Sequence, residues 1–312
     1  MNMKINRFIV ITLIVACLFV SCREDELGES IFDTEVPELN EDFFTYNLDY
    51  FLVENFRKPY NMHYIYKMSD VGSNMTYNVI PATFINSKKL AVLIKYLWYD
   101  AFLDVVDSAF LKENSPRIIH LIGSAQYNPS SGTEVLGFAE GGVKVTLTKV
   151  NDLNENDQEN LEQYFHTMHH EFVHILCQNK TFPKEFNLIS SEHYIIEWQT
   201  RTRIDAACLG FISPYAGSSV AEDIAETVSC YITWPKWFYD QVVDDWATWG
   251  VGPTWDGEDG KAIILEKLEI ARKWYKDVWN IDIDELREAV HNRNNSVDSD
   301  FVTDLLIEYG LE

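Results

Sequence analysis

The residues most able to do chemistry in this chain are His170, Glu171 and His174, which form an H-E-x-x-H pattern. On an α-helix, residues four positions apart lie on the same face, so both imidazoles can bind one metal ion. Two histidines at this spacing suit zinc, and the glutamate between them can reach water held at the metal. The pattern therefore predicts a zinc-dependent hydrolase with Glu171 as its general base.

The sequence around the motif predicts the helix that must carry it. The helix starts within 154–157, where acidic residues suit a first turn, and runs to about Asn179. Its apolar residues recur at spacings of three and four and form one stripe: Leu161, Tyr164, Phe165, Met168, Phe172, Ile175 and Leu176. The motif histidines project from the opposite face. His166 lies on the same row and could support a ligand, be a spare ligand or be a surface residue. The alternative to a metal site is a histidine-rich face that is simply solvated.

A second helix, over 220–232, is predicted to supply the third metal ligand. Catalytic zinc usually has three protein ligands and one open position. Glu222, Glu226 and Ser229 share the face opposite the apolar side of this helix, so both helices are expected to line one cleft. We predict Glu222 as the ligand and Glu226 as the residue that orients a ligand imidazole. Glu226 or Asp223 as the direct ligand, or two solvated glutamates, remain alternatives.

Upstream of the motif, the pattern mixes helix and strand. It predicts a helix over 41–57, helical spacing within 87–111, a strand over 117–122, and a hairpin formed by 133–138 and 143–150. An exposed strand edge here could hold an extended peptide by main-chain hydrogen bonds. A hairpin that only covers the core is an equal alternative.

Downstream of the motif, the pattern is mainly helical, with further helices over 260–280, 283–291 and 301–309. The segment 234–255 is predicted to be a loop that packs on the domain through its five tryptophans, and a sugar-binding platform is the alternative. These tryptophans are Trp234, Trp237, Trp246, Trp249 and Trp255. The predicted fold class is α+β, with a β-containing lobe of about 43–153 and a mainly helical lobe of about 154–312.

The first residues form a targeting segment, 1–21, with a basic start and an apolar run too short to span a bilayer. The run ends in Phe19-Val20-Ser21-Cys22, which resembles a bacterial lipobox and implies cleavage before Cys22 and lipidation of it. An ordinary secretory signal is the alternative. An acidic tether, 22–42, follows, and Arg23-Glu24-Asp25-Glu26 resembles the export signal of Bacteroidetes lipoproteins. These resemblances imply an outer membrane lipoprotein exposed on the cell surface.

The net charge limits the kinds of partner that the protein can bind, and the cysteine content limits the disulfides that it can form. The net charge is −24, and removal of 1–21 would delete two positive charges and make it −26. This charge excludes nucleic acid as a partner. Besides Cys22, the mature chain would keep Cys177, Cys208 and Cys230, an odd number without paired spacing. At least one is expected as a buried thiol, and a Cys208–Cys230 or Cys177–Cys208 disulfide remains open.

The motif followed by Glu222-Asp-Ile-Ala-Glu226 resembles the gluzincin metallopeptidases, particularly the branch of anthrax lethal factor. That branch has a tyrosine seven residues before the ligand glutamate, and Tyr215 holds this position. The resemblance implies a zincin-like fold, Zn²⁺ as cofactor, and assistance by Tyr215 at the oxyanion or leaving group. With the lipobox, the chain resembles zinc metallopeptidase lipoproteins of Bacteroidetes nutrient-import loci, which accompany TonB-dependent importers.

The expected reaction is hydrolysis of a peptide or protein substrate. His170, His174 and Glu222 hold Zn²⁺, while Glu171 takes a proton from water and returns it to the leaving amine. Tyr215 helps to stabilise the oxyanion. The alternative is a surface lipoprotein that binds protein or glycan for an importer and keeps a vestigial or structural zinc site. The intact Glu171 argues against this alternative, and hydrolysis of a non-peptide amide is a third hypothesis.

Overall fold

The computed structural model describes residues 38–68, 79–127, 134–135, 137–140, 143–249 and 259–312. The predicted targeting segment and most of the predicted tether, including Cys22, lie outside these described residues, as do Trp255 and part of the predicted hairpin. Residues Asn40–Glu312 form one compact unit. Within the described part of the chain, no helix has the length and apolar character needed to cross a membrane.

Helices occupy much of the chain on both sides of the motif. Those before it are α1 (Tyr46–Leu52), α2 (Lys58–Tyr60), α3 (Phe84–Leu93), α4 (Asp100–Leu103) and α5 (Ser108–Asn114), with π-helical turns at Val53–Arg57 and Ile94–Tyr99. Those from the motif onward are α6 (Gln158–Asn179), α7 (Phe186–Ile189), α8 (Arg203–Cys208), α9 (Val220–Thr233), α10 (Lys236–Asp240), α11 (Gly260–Trp279), α12 (Ile283–Asn294) and α13 (Ser299–Glu308). The motif helix and the four long helices downstream match their predicted ranges within a few residues.

A four-stranded sheet precedes the motif helix. Its strands are β1 (His63–Ile65), β2 (Ile118–Leu121), β5 (Gly137–Glu140) and β6 (Lys144–Leu147), in the order β1-β2-β6-β5. The pairs β1–β2 and β2–β6 are parallel, whereas β5 runs antiparallel to β6 at the edge. A separate two-stranded ribbon joins β3 (Gln126–Tyr127) to β4 (Glu134–Val135). The predicted strand is confirmed. The predicted hairpin is confirmed only for β5 and β6, because Glu134–Val135, predicted within its first arm, pairs with Gln126–Tyr127 instead.

The motif helix α6 forms where its sequence predicts. The carboxylate of Asp157 caps it by accepting from the backbone N–H groups of Glu159 and Asn160. The apolar stripe is buried, and the Phe172 ring packs on those of Trp98 and Phe102 with centroids 5.0 and 5.2 Å away. Burial of this stripe against the upstream helices fixes the rotation of α6 about its axis. The histidine face is thereby turned toward α9.

The face of α9 that bears Glu226 packs directly along α6. The Ser219 hydroxyl caps α9 by accepting from the Glu222 backbone N–H. Glu226 is only 5% exposed and His170 6% exposed, so at this level the two polar faces meet in the interior. At Glu226 and His170 each helix covers the polar side of the other, so this part of the expected cleft is closed.

The tryptophan-rich segment differs from its prediction. It is largely helical: a π-helical turn (Gln241–Asp245) and a 3₁₀ turn (Trp246–Thr248) follow α10. Trp234 and Trp246 pack against the core, but Trp237 is 69% exposed and Trp249 51% exposed. The predicted burial therefore holds for two of the four described tryptophans. Helical periodicity is hidden here because the aromatic residues occupy both faces.

The fold class is α+β, as predicted, with every described strand before α6 and helices from α6 onward. Cys177, Cys208 and Cys230 are all free thiols, and the last two are buried. Neither of the two disulfides left open by the sequence is formed. Buried thiols instead act as small apolar side chains.

Candidate metal centre

Three predicted ligand atoms converge between α6 and α9. His170 Nε2 lies 2.9 Å from Glu222 Oε2 and 3.2 Å from His174 Nε2, and His174 Nε2 lies 3.3 Å from Glu222 Oε2. Ligand atoms about 2.0–2.1 Å from a tetrahedral zinc ion would be separated by about 3.3–3.4 Å. The three atoms thus have the types and nearly the spacing of one face of a zinc site.

Charges in this set are strongly coupled. Burial disfavours ionisation of Glu222, but hydrogen bonds with His170 and His174 outweigh it and lower the pKa of Glu222 to about 2. Burial likewise disfavours a charged His170, yet hydrogen bonds with Glu222 and Glu226 raise its pKa to about 10.

Glu171 lies beside these ligands, as the motif requires. It is buried, with 6% of its surface exposed. Its negative charge contributes to the raised pKa of His170 and to that of Tyr215, so it acts on both groups across the site. A carboxylate in this place can exchange protons with a water at the ligand set.

Glu226 contacts His170 from the side opposite the predicted ligand atoms. Its Oε1 accepts a hydrogen bond from His170 Nδ1 at 2.8 Å and one from His166 Nε2 at 2.9 Å. Its Oε2 accepts from the Ser213 hydroxyl at 2.5 Å and from the Cys230 thiol at 3.7 Å. Burial opposes ionisation of Glu226, but the two imidazoles hold its pKa well below the usual value. This arrangement fits the predicted orienting role.

His166 is not part of a solvated face, which was one interpretation of the histidine row. It lies between Glu226 and Glu162, with its Nδ1 3.7 Å from Glu162 Oε1 and 3.4 Å from the Thr233 hydroxyl. His169, next to the motif, is on another side of α6: it is 2% exposed and its ring lies 5.5 Å from that of Phe102. Burial lowers the pKa of His169 to about 3.

Tyr215 lies in a 3₁₀ turn (Tyr215–Ser218) at the border of the site. Its ring stacks on His170 with centroids 5.9 Å apart, and Trp198 packs against its other side at 5.0 Å. The side chain remains 37% exposed, so it can meet a substrate. Burial and the nearby Glu222 raise the pKa of Tyr215, which keeps its hydroxyl protonated and able to donate.

Asp223, an alternative third ligand, faces away from the histidines. Its Oδ2 lies 2.6 Å from Lys267 Nζ on α11 and accepts a hydrogen bond from the Tyr194 hydroxyl at 2.8 Å. Both members of the ion pair are at most 1% exposed. Glu222 and Glu226 therefore remain the carboxylates of α9 that reach the motif.

Two supporting residues escaped the sequence interpretation. Ser213 donates to Glu226 and accepts from the Ala216 backbone N–H at 3.1 Å, so it links the Tyr215 turn to Glu226. Lys267 holds the opposite side of α9. Neither has a spacing signal, because each meets its partner only through the fold. The sequence shows that His166 lies four residues before His170, but it does not show that His166 bonds to Glu226.

Comparisons with known proteins identify a zinc-binding family. A family model described as "Putative zinc-binding metallo-peptidase" matches residues 42–284. A crystal structure of "a putative zinc-binding metallo-peptidase from Bacteroides caccae ATCC 43185" is similar, with 38% sequence identity and a TM-score of 0.69. The match covers 85% of this chain and 96% of that one. The comparison with curated proteins gives no match.

Proposed function

We propose that this chain, which belongs to the family of zinc-binding metallo-peptidases described above, hydrolyses peptide bonds in a zinc-dependent reaction. The observation that carries the proposal is the convergence of His170 Nε2, His174 Nε2 and Glu222 Oε2 within 3.3 Å of one another beside the buried Glu171. A site kept only for structure needs no such base. The H-E-x-x-H pattern followed by Glu222 corresponds to the gluzincin type.

The roles of the residues follow from their chemistry. A zinc ion held by His170, His174 and Glu222 would supply Lewis-acid polarisation and a water that ionises near neutral pH. Glu171 accepts a proton from the attacking water and delivers it to the leaving amine. The protonated hydroxyl of Tyr215 donates to the developing oxyanion.

The proposed substrate is a peptide or protein in an extended conformation. Strand β5 is antiparallel to β6 at the sheet edge, and β6 is its only partner among the described strands. Both strands contact α6, which carries the motif. An extended peptide could add to this edge through main-chain hydrogen bonds. The net charge of −24 favours cationic or neutral peptides.

We further propose that the protein works at the outer surface of the outer membrane, anchored by lipid on Cys22, in support of a TonB-dependent importer. The support comes from the lipobox-like ending at Cys22 and the acidic residues after it.

The decisive experiment combines metal analysis with a change at Glu171. The purified protein is expected to contain about one zinc ion per chain and to cleave members of a peptide library. Glu171→Ala and Glu171→Gln should keep the metal and lose activity by about 10²- to 10⁴-fold, the usual contribution of a general base. Glu159→Gln, an exposed glutamate in the first turn of the same helix, is the matched control.

The second candidate is a surface protein that binds protein or glycan for an importer. The exposed Trp237 and Trp249 favour it. Zinc bound without any cleavage that depends on Glu171 would reject the peptidase and favour this candidate. Glycan binding that is lost in Trp237→Ala would then support it directly.

A further inference from the structure

A row of four polar side chains runs along the face of α6 that meets α9. Glu162, His166, His170 and His174 follow one another at intervals of four residues. Only the last two belong to the proposed ligand set, so the first half of the row has no assigned role. His166 and Glu162 are nevertheless largely covered, with 20% of each side chain exposed.

Glu226 joins the two halves of this row. One oxygen, Oε1, accepts from His170 Nδ1 and from His166 Nε2, at 2.8 and 2.9 Å. Because an ionised carboxylate only accepts hydrogen bonds, both ring nitrogens must donate to it. With Nδ1 of His170 donating to Glu226, Nε2 faces Glu222 and His174 and is the nitrogen that a metal ion would bind in place of a proton.

No described hydrogen-bond or ion-pair partner of Glu226 is a lysine or an arginine. A buried carboxylate is strongly disfavoured unless cations or several donors compensate its charge. A metal-bound His170 would keep one N–H for Glu226, and the N–H of His166 is the second imidazole donor to the same carboxylate oxygen. The other ring nitrogen of His166, Nδ1, lies 3.4 Å from the Thr233 hydroxyl and 3.7 Å from Glu162 Oε1. The Thr233 hydroxyl donates to Glu162 at 3.1 Å.

We propose that His166 is a positioning residue of the metal centre. It fixes the Glu226 carboxylate, which in turn fixes the tautomer and orientation of His170. This inference rests on the proposed function for the identity of the ligands, but it concerns metal affinity rather than cleavage. Partners of this kind commonly change metal affinity by about 10- to 100-fold.

A competing arrangement uses the same atoms. His166, His170 and Glu226 also lie close enough to hold a metal ion themselves, with ligand atoms within 4.8 Å of one another. In that case Nδ1 of His170 would face the metal and could not donate to Glu226. The two arrangements differ in the consequence of removing His166: a moderate loss of affinity if it positions, a complete loss if it is a ligand.

The test compares two amide substitutions in the full folded protein. Gln at position 166 can place an N–H near Nε2 and donate to Glu226, whereas Asn is too short to do so. Zinc dissociation constants, measured by competition with a chelator, are expected to rise about 10- to 100-fold in His166→Asn and less than about threefold in His166→Gln. His169→Asn, a buried histidine of the same helix away from the site, controls for damage to α6 and should leave zinc affinity within about threefold of wild type.

The outcomes separate this inference from the proposed function. Equal zinc affinity in His166→Asn and wild type overturns the positioning role while the peptidase stands. Loss of zinc in both His166 variants, as complete as in Glu222→Ala, overturns it in favour of His166 as a ligand.

If either variant is too unstable to titrate, the absorption spectrum of the Co²⁺-substituted protein decides. Bands that are unchanged in the folded His166→Gln protein but shifted in Glu226→Gln support positioning. Bands altered as strongly in His166→Gln as in Glu222→Ala overturn it. A wild-type protein that binds no zinc rejects the proposed function itself.

Discussion

Helix α9 carries two buried carboxylates whose surroundings differ. Asp223 faces α11, where Lys267 Nζ lies 2.6 Å away and the Tyr194 hydroxyl donates a second bond. Glu226, three residues later, faces α6, and its described partners there are His166 and His170. Asp223 is fully buried and Glu226 is 5% exposed, so burial alone does not distinguish them.

The difference lies in the kind of positive charge that the chain supplies. Toward α11, the ammonium group of Lys267 neutralises the Asp223 carboxylate. The same ammonium group donates to the Gly210 carbonyl at 2.9 Å. Toward α6, the described ion-pair partners of Glu226 are imidazoles, which are metal ligands as well as bases. We therefore expect changes on the α11 side to affect stability and changes on the α6 side to affect metal binding and activity.

The largest effect is expected from Glu222→Ala on the metal side. Loss of one of three ligands should remove zinc and lower kcat/KM by on the order of a thousandfold or more. Zinc content and peptide cleavage measure the effect, and Glu269→Ala on the exposed face of α11 is the control. Zinc retained in Glu222→Ala would assign the third ligand to another residue.

Lys267→Met should have the reverse pattern. It leaves Asp223 buried without its cation, which costs about 3–5 kcal/mol of folding free energy. Protein that remains folded should bind zinc with the wild-type affinity. Urea unfolding measures the loss, and the double variant Asp223→Asn with Lys267→Met should recover part of it. A loss of zinc affinity in the folded single variant would contradict the separation of the two sides.

Two tyrosines sharpen the comparison with smaller effects. Tyr215→Phe removes the proposed oxyanion donor and should lower kcat about a hundredfold, at the lower end for one such donor, with zinc affinity unchanged. Tyr194→Phe removes the donor to Asp223 and should destabilise the fold by about 1 kcal/mol with kcat unchanged. Steady-state kinetics and urea unfolding of both variants provide the measurement. Equal kcat in Tyr215→Phe and wild type would remove Tyr215 from the mechanism.

The last effect concerns a half-buried histidine outside both clusters. Burial and the nearby Arg287 lower the pKa of His291 to about 4. The unfolded state, with a pKa of about 6.5, then binds more protons than the folded state between pH 6.5 and 4. Stability contributed by His291 therefore falls as the pH decreases through this window. Urea unfolding at pH 6.5 and 4.5 should show a smaller decrease for His291→Gln than for wild type, and an equal decrease would contradict it.

Much of the site could be predicted because its signals are local. The four-residue spacing of His170 and His174, the apolar stripe of α6 and the shared face of Glu222 and Glu226 are all properties of single helices. The exposed Trp237 and the pairing of Asp223 with Lys267 could not be predicted in this way. Both depend on which surfaces other elements cover, and helical periodicity carries no information about that.

By itself, the sequence determined which side chains each helix presents together, because 3.6 residues per turn place positions four apart on one face. Only the tertiary structure decided which neighbour each face meets. Asp223 and Glu222 are adjacent in sequence but about 100° apart around α9, so one turns to Lys267 and the other to the histidines. Packing of the apolar stripes sets the rotation of α9 about its axis. That rotation separates the Asp223–Lys267 ion pair from the side chains that can hold a metal.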